Sequence, residues 1–294
     1  MPELTTIIFS FAIATAFLFV ISRKMAASQR QANKKWFHKR NIPTKIKTAR
    51  TGKVYLVTGG SGFVGSNLVE ALLARGETRV RILDKVPTPL FDGESRVQFV
   101  LGSITDQDTV DSACRGVDVV LHLAARLDFY TDRSFDADES FAVNVQGTKN
   151  VIQACIKNNV PILVHQSTSV VTSDRGREYI DADETASYNV DPISHYPRTK
   201  KLAEQAVLAA NGTPTADHSH NLRTIALRVS GVYGPRDIYM AASMISGSAS
   251  RIGSGENKQE FIFVENVCHG LLVAEAALAK DQGVSGKPYF ICGD

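Results

Sequence analysis

The chain is predicted to fold as a doubly wound parallel α/β sheet, and three observations carry that expectation. The apolar run Val54-Tyr55-Leu56-Val57 ends in Thr58-Gly59-Gly60-Ser61-Gly62-Phe63-Val64-Gly65 and opens into a helix striped by Leu68, Val69, Leu72 and Leu73. Strand and helix patterns alternate from Lys53 onward, the mark of parallel strands joined by crossovers. Val117 to Ala125 is apolar nearly throughout, as befits a central strand buried on both faces.

The first strand and its turn say most. In a strand–turn–helix unit of this kind one glycine permits the tight turn, one lets the backbone approach a pyrophosphate, and one lets the helix pack on the sheet. The helix N-terminus adds unpaired N–H groups and a partial positive charge. A purely structural turn is the competing reading of the glycines taken alone. Arg79 to Asp84 reads as the second strand, and Asp84 stands 19 residues past Gly65, where a carboxylate can bond the hydroxyls of an adenosine ribose. That carboxylate would repel a 2′-phosphate, so NAD is favoured over NADP, a preference that Lys85 softens. Gly59, Ser61, Gly62, Phe63, Val64, Gly65 and Asp84 are the candidate dinucleotide-binding residues. Val97–Val100 supplies a third strand, Val117–Ala125 the fourth, Ala142–Asn158 a helix and Ile162–Val164 a fifth strand. Ligands in such sheets bind beyond the carboxyl ends of the strands.

Charge divides the chain. Residues 23–50 carry ten Lys or Arg and no acid, whereas residues 51–294 carry 23 basic and 29 acidic residues, net −6. That globular part offers nothing to a nucleic acid. Ahead of it, Leu4 to Ile21 is 18 residues without a charge, about 27 Å as a helix, enough for a thin bilayer such as that of the endoplasmic reticulum. Residues 1–22 are therefore expected to be a single-pass membrane anchor and 23–50 a basic linker. Residues 51–294 form the catalytic domain, which the positive flank keeps on the cytosolic side. A cleaved signal peptide is the rival, but it would need a basic start and a small-residue cleavage site. The linker, with Trp36 and Phe37, either lies on anionic headgroups or is simply solvated. Cys114, Cys155, Cys268 and Cys292 show no metal-ligand or redox spacing, so reduced thiols and no metal site are expected. Asn211-Gly212-Thr213 matches a glycosylation sequon that a cytosolic face would leave unused.

Tyr196 and Lys200 lie four residues apart at the head of a helix striped by Leu202, Ala203, Ala206, Val207 and Leu208, hence on one helical face. A phenol near pKa 10 is a poor base at neutral pH. A neighbouring ammonium stabilises the phenolate and makes it a usable base for alcohol oxidation. A surface pair is the bland reading of this spacing alone. Here it follows a dinucleotide turn and the hydroxyl run Ser167-Thr168-Ser169 at the end of the fifth strand.

At these residues the chain resembles the extended short-chain dehydrogenase/reductases, which share a Rossmann-like fold. Within them it is most similar to the 3-beta-hydroxysteroid dehydrogenase family and its sterol-4-carboxylate branch. The resemblance covers about residues 53–294. It rests on the glycine turn, His122-Leu123-Ala124-Ala125, Asn144-Val145-Gln146-Gly147-Thr148, the Tyr–Lys pair, Gly231-Val232-Tyr233-Gly234-Pro235-Arg236-Asp237 and Phe263-Val264-Glu265-Asn266-Val267-Cys268-His269-Gly270. It implies Tyr196 as proton acceptor and Lys200 as its tuner and the holder of the nicotinamide ribose. Thr168 would be the substrate-orienting hydroxyl, with Ser167 or Ser169 in that role if the register shifts by one. Ala124 and Ala125 join Tyr196 and Lys200 in lining the cofactor, while Asn144, His122, His165 and His269 read as structural. The implied substrate is a 3β-hydroxysteroid, foremost a sterol 4α-carboxylate oxidised with decarboxylation. A steroid dehydrogenase/isomerase or another reductase or epimerase of this fold, and a non-catalytic membrane-tethered scaffold, are the alternatives. A sterol, membrane lipid and a second copy as a homodimer are the partners this reading allows.

Three departures from the family stand out. Ser103 replaces an acid after Gly102, and Val229 follows Leu227-Arg228 in place of Pro. The chain stops at Phe290-Ile291-Cys292-Gly293-Asp294, where the family continues, so the substrate region (segments near 175–195 and 236–294) is expected to be small and cut short.

Overall fold

The computed structural model describes residues 49–127, 134–175, 179–192, 194–238, 259–280 and 283–292. They belong to one compact unit, Ile46–Asp294. Seven strands form a parallel sheet: β1 (Tyr55–Thr58), β2 (Val80–Asp84), β3 (Val97–Leu101), β4 (Val119–His122), β5 (Ile162–Thr168), β6 (Arg223–Val229) and β9 (Lys287–Ile291). Their spatial order is β3-β2-β1-β4-β5-β6-β9. The order reverses between β1 and β4, which opens a crevice beyond the carboxyl ends of those two strands. A separate parallel pair joins β7 (Gly231–Tyr233) to β8 (Phe261–Phe263).

Burial on both faces explains the apolar runs. Tyr55 and Val57 of β1, Val119 and Leu121 of β4, Ile162 and Val164 of β5, and Ile225, Leu227 and Val229 of β6 pack into one core. That core is closed by helix α1 (Phe63–Ala74) and helix α6 (Val264–Ala279), through residues such as Leu68, Leu72, Val267 and Leu271. The alternate residues Leu56, Val120 and Leu163 enter a second core on the other face, closed by α2 (Gln107–Cys114), α4 (Thr148–Lys157) and α5 (His195–Ala209). The period-2 alternation of a strand thus feeds two cores at once.

The structure amends several predicted boundaries. The fourth strand ends at His122 rather than running to Ala125: Leu123 N–H is shared between the Thr58 carbonyl and hydroxyl, and Ala124 N–H goes to the hydroxyl. The helix predicted over Ala142–Asn158 begins earlier, as α3 (Ser134–Phe141), passes through a π-helical stretch at Ala142–Gly147 and continues as α4. The fifth strand extends through Thr168. Among the described residues no helix is long and apolar enough to cross a membrane. The predicted anchor, Leu4–Ile21, and the linker up to residue 48 lie outside the described residues, as does most of 236–258.

Two glycines fix how α1 leaves β1. Gly59 has φ +74°, open to glycine and strained for other residues. At Gly65 a Cβ would come within 2.0 Å of the Gly59 carbonyl oxygen, a backbone atom that cannot step aside. Gly65→Ala should therefore displace the helix start and lower stability by about 1–3 kcal/mol, read as a reduced urea midpoint with an unchanged slope.

Candidate functional site

The glycine turn opens at the carboxyl end of β1. Its backbone is tied down by Gly59 N–H to the Leu83 carbonyl (2.9 Å) and Gly62 N–H to the Gly59 carbonyl (3.1 Å). Gly62 is the N-cap of α1 and brings no side chain to satisfy the first-turn N–H groups, and no acid stands in that turn. Such an end suits an anion. The Ser61 hydroxyl is buried without a hydrogen-bond partner. A buried hydroxyl left unsatisfied costs free energy that a bound acceptor would recover. Asp84, at the end of β2, reaches the same turn: its carboxylate accepts from Ser61 N–H at 3.0 Å and from Val86 N–H at 3.1 Å. Each carboxylate oxygen keeps lone pairs for ribose hydroxyls. Orphan hydroxyl, uncapped helix and carboxylate together fit a dinucleotide. Phe63 and Val64, at the head of α1, pack partly buried against the core and brace the turn from behind.

The end of β4 backs that turn. Ala124 lies so close that a Cβ on Gly59 would meet its Cα at 2.9 Å. Ala124 and Ala125 are half-buried on the segment that leaves the strand. Beneath them His122 is fully buried, with Nδ1 2.7 Å from the Thr58 hydroxyl and Nε2 2.9 Å from the Thr148 hydroxyl. The Thr148 hydroxyl donates to the Asn144 carbonyl at 2.6 Å. It must therefore accept from Nε2–H, which leaves Nδ1 to accept from Thr58. Burial first, then the Lys200 charge, pushes the His122 pKa down to about 3. Asn144 spends its amide on structure: Oδ1 accepts from Arg126 N–H (2.7 Å), and Nδ2 donates to the Arg126 carbonyl and the Thr199 hydroxyl (both 3.0 Å).

Helix α5 supplies the phenol and the ammonium. Tyr196 and Lys200 are both buried, 6% and 3% exposed, so this is no surface pair. Lys200 Nζ donates to the Gln166 carbonyl at 2.7 Å and lies 3.4 Å from His165 Nε2. Burial lowers the Lys200 pKa to about 8, against the opposing pull of Glu204. The His165 imidazole is held well below its ordinary range by burial and then by Lys200, so it stays neutral.

The three hydroxyls at the end of β5 part company. Ser167 is buried and donates to the Glu204 carboxylate. Thr168 lies one residue further along an extended strand, so it points to the opposite face from Ser167. Its hydroxyl accepts from Val170 N–H at 3.5 Å, capping the 3₁₀ turn Ser169–Thr172. Ser169 is half-buried and opens that 3₁₀ turn. Among the described residues no group of three or more His, Cys, Asp or Glu is placed to hold a metal.

Residue-by-residue sequence reading missed a group beneath the pair. Glu204 is fully buried on α5 and Arg228 nearly so on β6, joined at 2.7 Å, and Tyr188 donates to the same carboxylate at 2.9 Å. Two signals were present: Arg228 interrupts an otherwise apolar strand, and Glu204 repeats the four-residue spacing from Lys200. A charge within a buried run asks for a buried partner.

The family model for the 3-beta hydroxysteroid dehydrogenase/isomerase family matches residues 56–294. Sterol-4-alpha-carboxylate 3-dehydrogenase, decarboxylating, of Mus musculus is 36% identical over 243 residues, covering 81% of this chain and 63% of that protein. A 3-beta-hydroxysteroid dehydrogenase of Mycolicibacterium neoaurum is 35% identical, covering 83% and 67%. Among solved structures, the dTDP-glucose 4,6-dehydratase DesIV of Streptomyces venezuelae, a double mutant with NAD and DAU bound, superposes with a TM-score of 0.67. It is 27% identical, covering 82% of this chain and 76% of that one. The Thermus thermophilus UDP-glucose 4-epimerase in complex with NAD has a TM-score of 0.62 at 28% identity, covering 81% and 77%. The chain spans 61 to 64% of the length of the mouse, bovine and human relatives. On the family match, and on a parallel sheet of this order, the chain belongs to the 3-beta hydroxysteroid dehydrogenase/isomerase family.

Proposed function

We propose that the protein is an NAD-dependent 3β-hydroxysteroid dehydrogenase whose substrate is a sterol 4α-carboxylate. The observation that carries the reading is the buried Tyr196–Lys200 pair, its ammonium seated on the Gln166 carbonyl at the carboxyl end of β5. The relatives named as decarboxylating sterol dehydrogenases support the substrate. Gly59, Ser61, Gly62, Phe63, Val64, Gly65, Asp84, Ala124 and Ala125 would hold the dinucleotide, with Lys200 at the nicotinamide ribose. NAD, when bound, supplies the hydride acceptor.

The chain's own groups handle the proton. Lys200, charged and buried, stabilises the Tyr196 phenolate, which takes the proton of the 3β-hydroxyl. The orienting hydroxyl is reassigned from Thr168 to Ser169. Ser167 is committed to Glu204 and Thr168, on the opposite face of β5, caps Val170, which leaves Ser169 by elimination. The resulting β-keto acid loses carbon dioxide unaided, so no decarboxylating residue is required. Leu4–Ile21 anchors the domain to the endoplasmic-reticulum membrane, and a sterol reaches the site from that bilayer.

Tyr196→Phe should lower kcat by 10²-fold or more while NADH binding, followed by fluorescence, changes little. Ser169→Ala should cut kcat by a comparable factor, whereas Thr168→Val should leave it within a few-fold; the reverse order would return the role to Thr168. Because Lys200 must stay protonated, wild-type kcat/KM should fall as pH rises past about 8. Carbon dioxide release from a sterol 4α-carboxylate separates this reading from a dehydrogenase/isomerase, which would instead shift a double bond. Deleting residues 1–22 should move the protein from the carbonate-resistant membrane pellet to the supernatant.

A further inference from the structure

We infer that Glu204 is a positioning residue for the Tyr196–Lys200 pair, its carboxylate held in place by Arg228, Ser167 and Tyr188. The inference deepens the dehydrogenase reading above and rests on it.

Tyr196, Lys200 and Glu204 recur every four residues and so line one face of α5. Glu204 is fully buried, yet its carboxylate is saturated. Arg228 Nε donates to both oxygens at 3.1 and 3.3 Å, the second Arg228 nitrogen donates at 2.7 Å, the Tyr188 hydroxyl donates at 2.9 Å and the Ser167 hydroxyl also donates. Arg228 is itself clamped between the rings of Tyr188 and Phe290, with its guanidinium carbon 5.3 Å from each ring centre. One guanidinium nitrogen remains buried without a partner, so the group accepts a penalty in order to stand there. Replacing an ion pair this deep with well-packed apolar side chains of the same volume is often neutral or stabilising. Its geometry therefore points to work other than stability.

That work lies one turn away. The groups facing Lys200 are His165 from β5, His122 from β4, and Tyr196 and Glu204 from its own helix, with Arg228 of β6 behind Glu204. Both imidazoles are kept neutral by burial. Glu204 is the anion among these groups, and its field opposes the burial that drives Lys200 towards the neutral amine. Arg228 fixes where that anion sits. Tyr188 brings in the substrate-side loop, since Asn189 beside it bonds the Val171 carbonyl through N–H (2.8 Å), the Val170 carbonyl through Nδ2 (3.0 Å) and Lys201 Nζ through its own carbonyl (2.7 Å). One carboxylate thus ties the loop, β5, β6 and the catalytic helix together.

Wild type, Glu204→Gln and Glu204→Asp are compared in two ways. The first is the pH dependence of kcat/KM with NAD and a 3β-hydroxysterol 4-carboxylate. The second is the titration of Lys200 by NMR on protein labelled with 13C at lysine Cε, its signal assigned with Lys200→Met. In Glu204→Gln the falling limb of kcat/KM and the Lys200 midpoint should both move to lower pH by about one pH unit or more, and Glu204→Asp should restore most of that. A loss of kcat/KM equal at every pH, with the Lys200 midpoint unmoved, overturns the inference and leaves Glu204 a packing residue. Should Glu204→Gln not fold, a partner of its carboxylate is changed instead. In that case Tyr188→Phe, which frees one donor bond of the carboxylate, is titrated beside the wild type: a moved Lys200 midpoint upholds the inference, and an unmoved one overturns it. If the wild type reduces no NAD, the dehydrogenase reading falls, while the lysine titration still judges Glu204 separately.

Discussion

Lys200 carries its ammonium inside the protein, and much of the surrounding architecture follows from the terms on which that charge can stay there. Desolvation of a cation costs several kcal/mol unless oriented dipoles and a counter-charge replace the lost water. Here the Gln166 carbonyl provides the dipole, and the field of Glu204, a turn further along α5 and itself ion-paired with Arg228, opposes loss of the charge. Two neighbouring histidines could have competed as cations. Both are sealed from solvent and remain neutral, and His122 is committed to the hydroxyls of Thr58 and Thr148.

The same arrangement couples the two sides of the crevice. Thr58 ends β1, faces His122 across the β1–β4 pairing, and accepts the N–H groups of Leu123 and Ala124. Its hydroxyl therefore fixes where β4 stops and how closely Ala124 approaches Gly59. Further out, Arg236 sits at φ +76° and is held by Glu70 at 2.7 Å and Asn67 at 2.6 Å, both on α1. Asn67 also donates to the Pro235 carbonyl at 3.1 Å. The segment after β7 is thereby stitched to the helix that follows the glycine turn.

Much of this was legible from residues alone. Parallel strands buried on both faces read as nearly continuous apolar runs, and that made β1 and β4 readable. The Gly59-to-Gly65 spacing and the Asp84 distance reflect covalent reach and turn geometry, both local properties. The four-residue step from Tyr196 to Lys200 is equally local. Boundaries fared worse for a physical reason. The apolar pattern continues to Ala125, but strand pairing ends at His122, after which the Ala124 N–H goes to the Thr58 side chain rather than to a neighbouring strand. The helix predicted from Ala142 has its first turns at Ser134, beyond which a π-helical stretch shifts the register and carries Asn144 onto the Arg126 backbone.

By itself, then, the chain determined the doubly wound sheet, the dinucleotide turn and the spacing of phenol and ammonium, because each depends on periodicity or on contacts a few residues apart. Tertiary structure decided how the hydroxyls of Ser167-Thr168-Ser169 are spent, Ser167 on Glu204, 37 residues away, and Thr168 on Val170 N–H. It also decided that Arg228 and Glu204 meet at all. Two charges 24 residues apart become one buried unit only when α5 is laid across β5 and β6.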